Sequence, residues 1–156
     1  MQLESAVKFQ RDSLQFHGFV DLGAHTSNKD LTKRGDHALV LMYQPFRGNW
    51  VQPIGTFLGA GAVNGKILEK IVLEAIILLE NSGYFVDFIT TDGATWNRAM
   101  WNRFGISESS TSCMHPIDSD RRLWFGSDFP HLIKCLWHRL ISRKVLKVRH
   151  SLNQTH

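Results

Sequence analysis

The chain has 156 residues, 43% of them hydrophobic and 21% charged. That composition suits a globular chain with a real core and excludes intrinsic disorder and a disulfide-stapled mini-protein, since only Cys113 and Cys135 are present. The net charge of +4 is unevenly spread: no carboxylate side chain follows Asp128, yet Lys134, Arg139, Arg143, Lys144, Lys147 and Arg149 do. The start of the chain shows neither a basic n-region nor a long apolar stretch, so no signal peptide is expected and an intracellular setting is. The most apolar stretch, residues 67–79, is interrupted by Glu69, Lys70 and Glu74 and does not read as a membrane span.

Residues 1–16 form a weakly patterned lead-in. Residues 17–23 read as a short strand ending in Gly23, and the polar residues 24–36 as a loop. Residues 37–44 read as a buried strand. After a turn at 45–49, residues 50–58 read as its hairpin partner, with Pro53 marking an edge or a bulge. Asn64 is an N-cap candidate for a helix whose apolar positions (Ile67, Leu68, Ile71, Val72, Ala75, Ile76, Leu79) fall on one face; Gly83 closes it. A strand at 84–90 follows, then a helix at 95–104 stopped by Gly105. Next come a polar loop at 106–121, a short strand at 122–126 and a helix at 129–141 with Pro130 in its first turn. The order implies an antiparallel meander followed by helix crossovers to parallel strands, hence a mixed α/β sheet flanked by helices.

Asp21 and Asp92 each end a predicted strand, where open α/β sheets collect their active sites. If the two strands are neighbours, the carboxylates emerge together and suit Mg²⁺ or Mn²⁺; the plain alternative is a turn aspartate and a helix cap. Cys113, His115, His131 and Cys135 offer four zinc-type donors, although the spacing matches no usual finger and buried unligated cysteine is commoner. Trp96, Trp101, Trp124 and Trp137 read as core or helix-packing residues. Gly59-Ala60-Gly61 lacks the Lys-Ser/Thr of a phosphate-binding loop.

The segments GFVDLG (18–23), QPIG (52–55), TTDGATWN (90–97), HP (115–116) and SDFPHLIKCLWH (127–138), in this order, resemble the P-element-type DNA transposases, whose vertebrate relatives carry an N-terminal THAP zinc finger. The resemblance runs from about residue 14 to about residue 141. It implies a ribonuclease-H-like catalytic domain over residues 17–142, followed by a basic tail at 143–156. It further implies DNA strand cleavage and transfer at transposon ends with Mg²⁺ or Mn²⁺, in the nucleus. Asp21 matches the first catalytic carboxylate of the family and Asp92 the second, both as metal ligands. The third, a glutamate, follows an inserted GTP-binding domain in the family; neither has a counterpart here, and Glu108, in a polar loop, is no substitute. The THAP finger has no counterpart either. The resemblance therefore implies a fold incomplete at its C-terminus and a transposase fragment with little activity of its own, or an inactive relic acting as a DNA- or protein-binding module.

Several further residues belong to these motifs. Asn97 either orients the site through a side-chain hydrogen bond or serves its helix. Asp128 either caps the last helix or, with His131, approaches the metal. Lys134 either reaches a DNA phosphate or is simply solvated. Arg143, Lys144, Lys147 and Arg149 would add phosphate contacts, against the alternative of a solvated tail.

Overall fold

The computed structural model describes residues 8–10 and 15–142. The basic tail, with Arg143, Lys144, Lys147 and Arg149, and most of the lead-in lie outside the described residues. The described residues begin with an antiparallel pair, β1 (Lys8–Gln10) and β2 (Gln15–His17), in which Phe9 is paired to Phe16. A second hairpin joins β3 (His37–Tyr43) to β4 (Gln52–Gly59). Its register slips between Leu41, opposite Gly55, and Met42, opposite Pro53, so Ile54 is the extra residue of a bulge. Proline has no N–H to give the ladder, which is why the slip falls there.

Helix α1 (Gly65–Asn81) starts where the Asn64 side chain accepts from the Lys66 N–H at 2.8 Å. It ends where Gly83, at φ +81°, lets the Gly83 and Tyr84 N–H groups turn back onto the Glu80 and Leu79 carbonyls. Leu68, Ile71, Val72 and Ile76 are its buried face. The second sheet has the order β5-β7-β6, with β5 (Phe88–Thr91) parallel to β7 (Arg122–Ser127) and β6 (Ser112–Met114) antiparallel on the outer edge. Helix α2 (Thr95–Arg103) lies between β5 and β6 in sequence and packs on α1. Ion pairing of Arg103 with Glu69 links the two helices.

The core lies between these helices and one sheet face. It joins Leu68, Val72 and Ile76 of α1 to Val86, Met100, Ile106, Leu123 and Phe125. A smaller cluster of Val20, Leu22 and Ile71 secures the segment before the second hairpin. Helices α1 and α2 approach so closely that a Cβ at Gly65 would stand 2.9 Å from the Ala99 Cβ and 3.1 Å from backbone atoms of Ala99 and Met100. Backbone cannot step aside as a flexible side chain can. Gly65→Ala is therefore expected to destabilise the fold by about 1–3 kcal/mol, read by urea denaturation.

Helix α3 (Phe129–Ser142) leaves β7 after the single residue Asp128, and none of its residues is buried. Its apolar positions, from Phe129 through Leu132, Ile133, Leu136, Trp137 and Leu140, recur at helical spacing and all face solvent. The expected core role of the tryptophans therefore splits: Trp96 and Trp101 pack on the core, while Trp124 and Trp137 are exposed. No helix among the described residues is long and apolar enough to cross a membrane.

The predicted three-strand meander is found as one hairpin and a short addition. Residues 17–23 do not form a continuous strand: β2 ends at His17, Phe19 bridges Arg34, and Asp21 bridges Leu58 of β4. The segment then turns into a 3-10 turn, Gly23–His25, because Gly23 adopts φ +60°. The Asp21 segment thus lies beside β4, the second strand of the hairpin, rather than beside β3. Strand β5 starts at Phe88 rather than at residue 84, since the Tyr84 N–H is already engaged by the end of α1.

Candidate functional site

Asp92 follows β5 directly, at the carboxyl end of the parallel pair. Its Oδ1 accepts from the Ala94 N–H at 3.0 Å and from Nδ2 of Asn97 at 2.6 Å. Asn97 is buried and sits in the first turn of α2, so the helix carries the donor to the carboxylate. Both donors converge on one oxygen, and no described residue bonds to Oδ2. The rotamer is thereby held, on a residue that is itself exposed. The Asn97 amide thus bonds the Asp92 carboxylate, and α2 has no side-chain cap hydrogen bond at its N-cap, Ala94.

Asp21 is exposed and is held by its neighbours. Its backbone N–H and C=O both bond Leu58, each at 2.7 Å, and its Oδ1 accepts from the Gly23 N–H at 2.9 Å. The following turn is anchored by Thr26 Oγ1, which accepts from the Leu22 N–H at 2.7 Å, and by His25, whose Nε2 lies 3.0 Å from Glu74 of α1. Asp21 also borders an open cleft of about 710 Å³ walled by Val20, Thr56 and Leu58. The strand hydrogen-bonded to β5 is β7, not the Asp21 segment. The two aspartates therefore stand on separate sheets that share a core through α1.

Asp128 lies one residue past β7, whose last residue, Ser127, pairs with Thr91, and its N–H donates to the Thr91 carbonyl at 2.8 Å. Its side chain faces the His131 N–H at 3.5 Å and its carbonyl accepts from Leu132, which makes it the cap of α3. His131 and Lys134 are exposed on that helix. Among the described residues no group of three or more His, Cys, Asp or Glu side chains is placed to hold a metal ion, so Cys113, His115, His131 and Cys135 do not assemble a zinc site. Cys113 is half-buried, and burial pushes its thiol pKa up.

One cluster escaped the sequence reading. Arg121 donates from Nη2 to Glu80 at 2.6 Å, from Nη1 to Asp87 at 3.0 Å and from Nε to Asp118 at 2.9 Å, and its guanidinium lies 5.1 Å from the centre of the Phe85 ring. Glu80 also accepts from the Val86 N–H at 2.7 Å, and its side chain is only 8% exposed. Burial works to raise the Glu80 carboxyl, but the Arg121 guanidinium and the Val86 N–H outweigh it and hold the pKa below the usual range. Buried His115 accepts the Ile117 and Asp118 N–H groups on Nδ1, which leaves the proton on Nε2, 3.3 Å from Glu80 but poorly aligned for a hydrogen bond. The cluster ties the end of α1 to the start of β5 and to the β6–β7 turn. Its members are up to 41 residues apart in sequence, so no local spacing announces it.

The family model of the TNP-like RNase H N-terminal domain matches residues 1–105. The chain belongs to this family. As a TNP-like RNase H N-terminal domain it is similar to the transposable element P transposase of Drosophila melanogaster, with 33% identity over 103 residues, covering 64% of this chain and 12% of that protein. It is also similar to the human DNA transposase THAP9, with 23% identity over 140 residues, covering 87% of this chain and 15% of that protein. The chain thus spans only a small part of the length of these relatives. Among solved structures, the Drosophila P element transposase strand transfer complex matches with a TM-score of 0.67 over 91% of this chain and 28% of that one. At 24% identity, that match establishes a shared RNase H-like fold.

Proposed function

We propose that this TNP-like RNase H N-terminal domain is the first part of a DNA transposase catalytic domain, in which Asp21 and Asp92 are metal ligands. The observation that supports this most is Asp92 itself. It stands at a parallel strand end, on an exposed residue, clamped through Oδ1 by the Ala94 N–H and the buried Asn97. The donor chemistry fits Mg²⁺ or Mn²⁺, since both aspartates offer hard oxygens. The described set is short of three ligands, so a further carboxylate has to come from elsewhere. When bound, the metal would supply charge stabilisation for phosphodiester cleavage and strand transfer. The residues of this chain hold the carboxylates in place: Asn97 and the Ala94 N–H fix Asp92, and the Leu58 backbone and the Gly23 N–H fix Asp21. On this reading the substrate is DNA, at transposon ends, and the chain acts in the nucleus.

Calorimetric Mn²⁺ titration of the purified chain, beside an Asp21→Ala/Asp92→Ala double variant, tests the proposal. Binding that disappears in the double variant is the expected result; equal affinity in both overturns it. Asn97→Ala should weaken Mn²⁺ binding by about 10–100-fold, because the first ligand loses its orienting partner. An unchanged affinity would make Asn97 a helix residue only.

A second reading is a module without catalysis that binds DNA through its basic end. It is favoured by the shortage of metal ligands among the described residues and by the absence of any carboxylate side chain after Asp128. It predicts salt-sensitive DNA binding that survives loss of both aspartates and weakens when Arg143, Lys144, Lys147 and Arg149 are neutralised.

A further inference from the structure

The two aspartates of the candidate site are held in different ways. Each makes the same short-range bond: Oδ1 of Asp92 accepts from the Ala94 N–H at 3.0 Å, and Oδ1 of Asp21 from the Gly23 N–H at 2.9 Å. Asp92 has a second donor, the Asn97 side chain. Among the described residues no side chain donates to Asp21, which is exposed. The aim of its carboxylate is therefore set by the backbone that carries the Gly23 N–H. That backbone has a loose joint, because Gly23 stands at φ +60° and glycine leaves its torsions free.

Thr26 pins that joint from both sides. Its Oγ1 accepts from the Leu22 N–H at 2.7 Å and donates to the Gly23 carbonyl at 3.0 Å. The peptide that presents the Gly23 N–H to Asp21 lies between those two held groups. Accepting and donating at one atom of so short a side chain is hydroxyl chemistry. Leu22 is buried beside Val20 and Ile71, so its N–H has little access to water and Thr26 is the partner that replaces it. The other end of the Asp21–Leu22 peptide is fixed too, since the Asp21 carbonyl accepts from the Leu58 N–H at 2.7 Å. We propose that Thr26 is the positioning residue of the Asp21 carboxylate: it acts through the Leu22 and Gly23 backbone, where Asn97 acts on Asp92 directly. The inference rests on the reading of Asp21 as a metal ligand and names the residue on which the aim of that ligand depends.

Thr26→Val, which keeps the shape and loses the hydroxyl, and Thr26→Ser, which keeps the hydroxyl, test it against the parent by nuclear magnetic resonance of the full chain and by Mn²⁺ titration. In Thr26→Val the Leu22 amide should exchange at least about tenfold faster. The Gly23 amide proton should move upfield as its bond to the carboxylate slackens. Mn²⁺ should bind about tenfold more weakly. Thr26→Ser should restore all three. A role confined to closing the turn would quicken Leu22 exchange and leave the Gly23 resonance in place; that result overturns the proposal. So does Mn²⁺ affinity that Thr26→Val leaves unchanged while Asp21→Ala/Asp92→Ala abolishes it. A check that needs no variant is the parent itself, where a Leu22 amide exchanging as fast as an open loop overturns the proposal as well. A parent that binds no Mn²⁺ defeats the metal reading alone, and the Gly23 resonance then still decides whether Thr26 aims the carboxylate.

Discussion

Arg121→Ala is expected to cost about 3–5 kcal/mol in urea denaturation. The substitution strands Glu80, whose side chain is nearly enclosed, without its counter-charge. The more exposed Asp87 and Asp118 can rehydrate and add little. Arg121→Lys should rescue poorly, because one ammonium cannot satisfy three carboxylates arranged around a planar fork. The loss should also depend on pH. Glu80 has a folded-state pKa below its unfolded value, so its contribution is fully present above the ordinary carboxylate range and fades as pH falls through the folded value. In the variant the Val86 N–H still favours the carboxylate, but without the guanidinium burial weighs more and shifts Glu80 toward the protonated acid. The stability difference between parent and Arg121→Ala should therefore be widest near neutrality and narrow below about pH 4. A gap that stays constant from neutral to acid pH would show that packing on Phe85, not charge, is what Arg121 supplies.

Met100→Ala is expected to cost about 2–5 kcal/mol. Met100 is completely enclosed, on α2, in a cluster with Leu68, Val72, Leu123 and Phe125. Truncation opens a cavity that the α1–α2 contact cannot close, because the helices already touch through Gly65 and the Ala99 backbone. Met100→Leu should cost less than about 1.5 kcal/mol, since volume is nearly kept. Matching losses for the two substitutions would mean the site relaxes freely, contrary to the tight helix approach.

The features legible in the sequence are those with a local cause. Asn64 and Gly83 bracket α1 because one residue satisfies the first orphan N–H groups and the other permits the left-handed turn. The hairpin and its bulge were readable because Pro53 cannot pair. Strand β6 was hidden inside a polar loop: it is three residues long, and its place is set by Cys113 facing Leu123 across the ladder. The strand expected at 17–23 depends on tertiary pairing with Leu58, which shortens it to a bridge. In the candidate site, the Asp92–Asn97 pair was readable because the two are five residues apart on a strand end and a helix start. The Arg121 cluster was not, since three separate elements have to fold before its charges meet.

The single-residue junction at Asp128 has a mechanical meaning. A helix joined to a strand without slack is a lever arm. Its fulcrum is the Asp128 N–H bond to the Thr91 carbonyl, one residue from Asp92. The orientation of α3 and the position of the strand end before Asp92 are therefore tied by one backbone hydrogen bond.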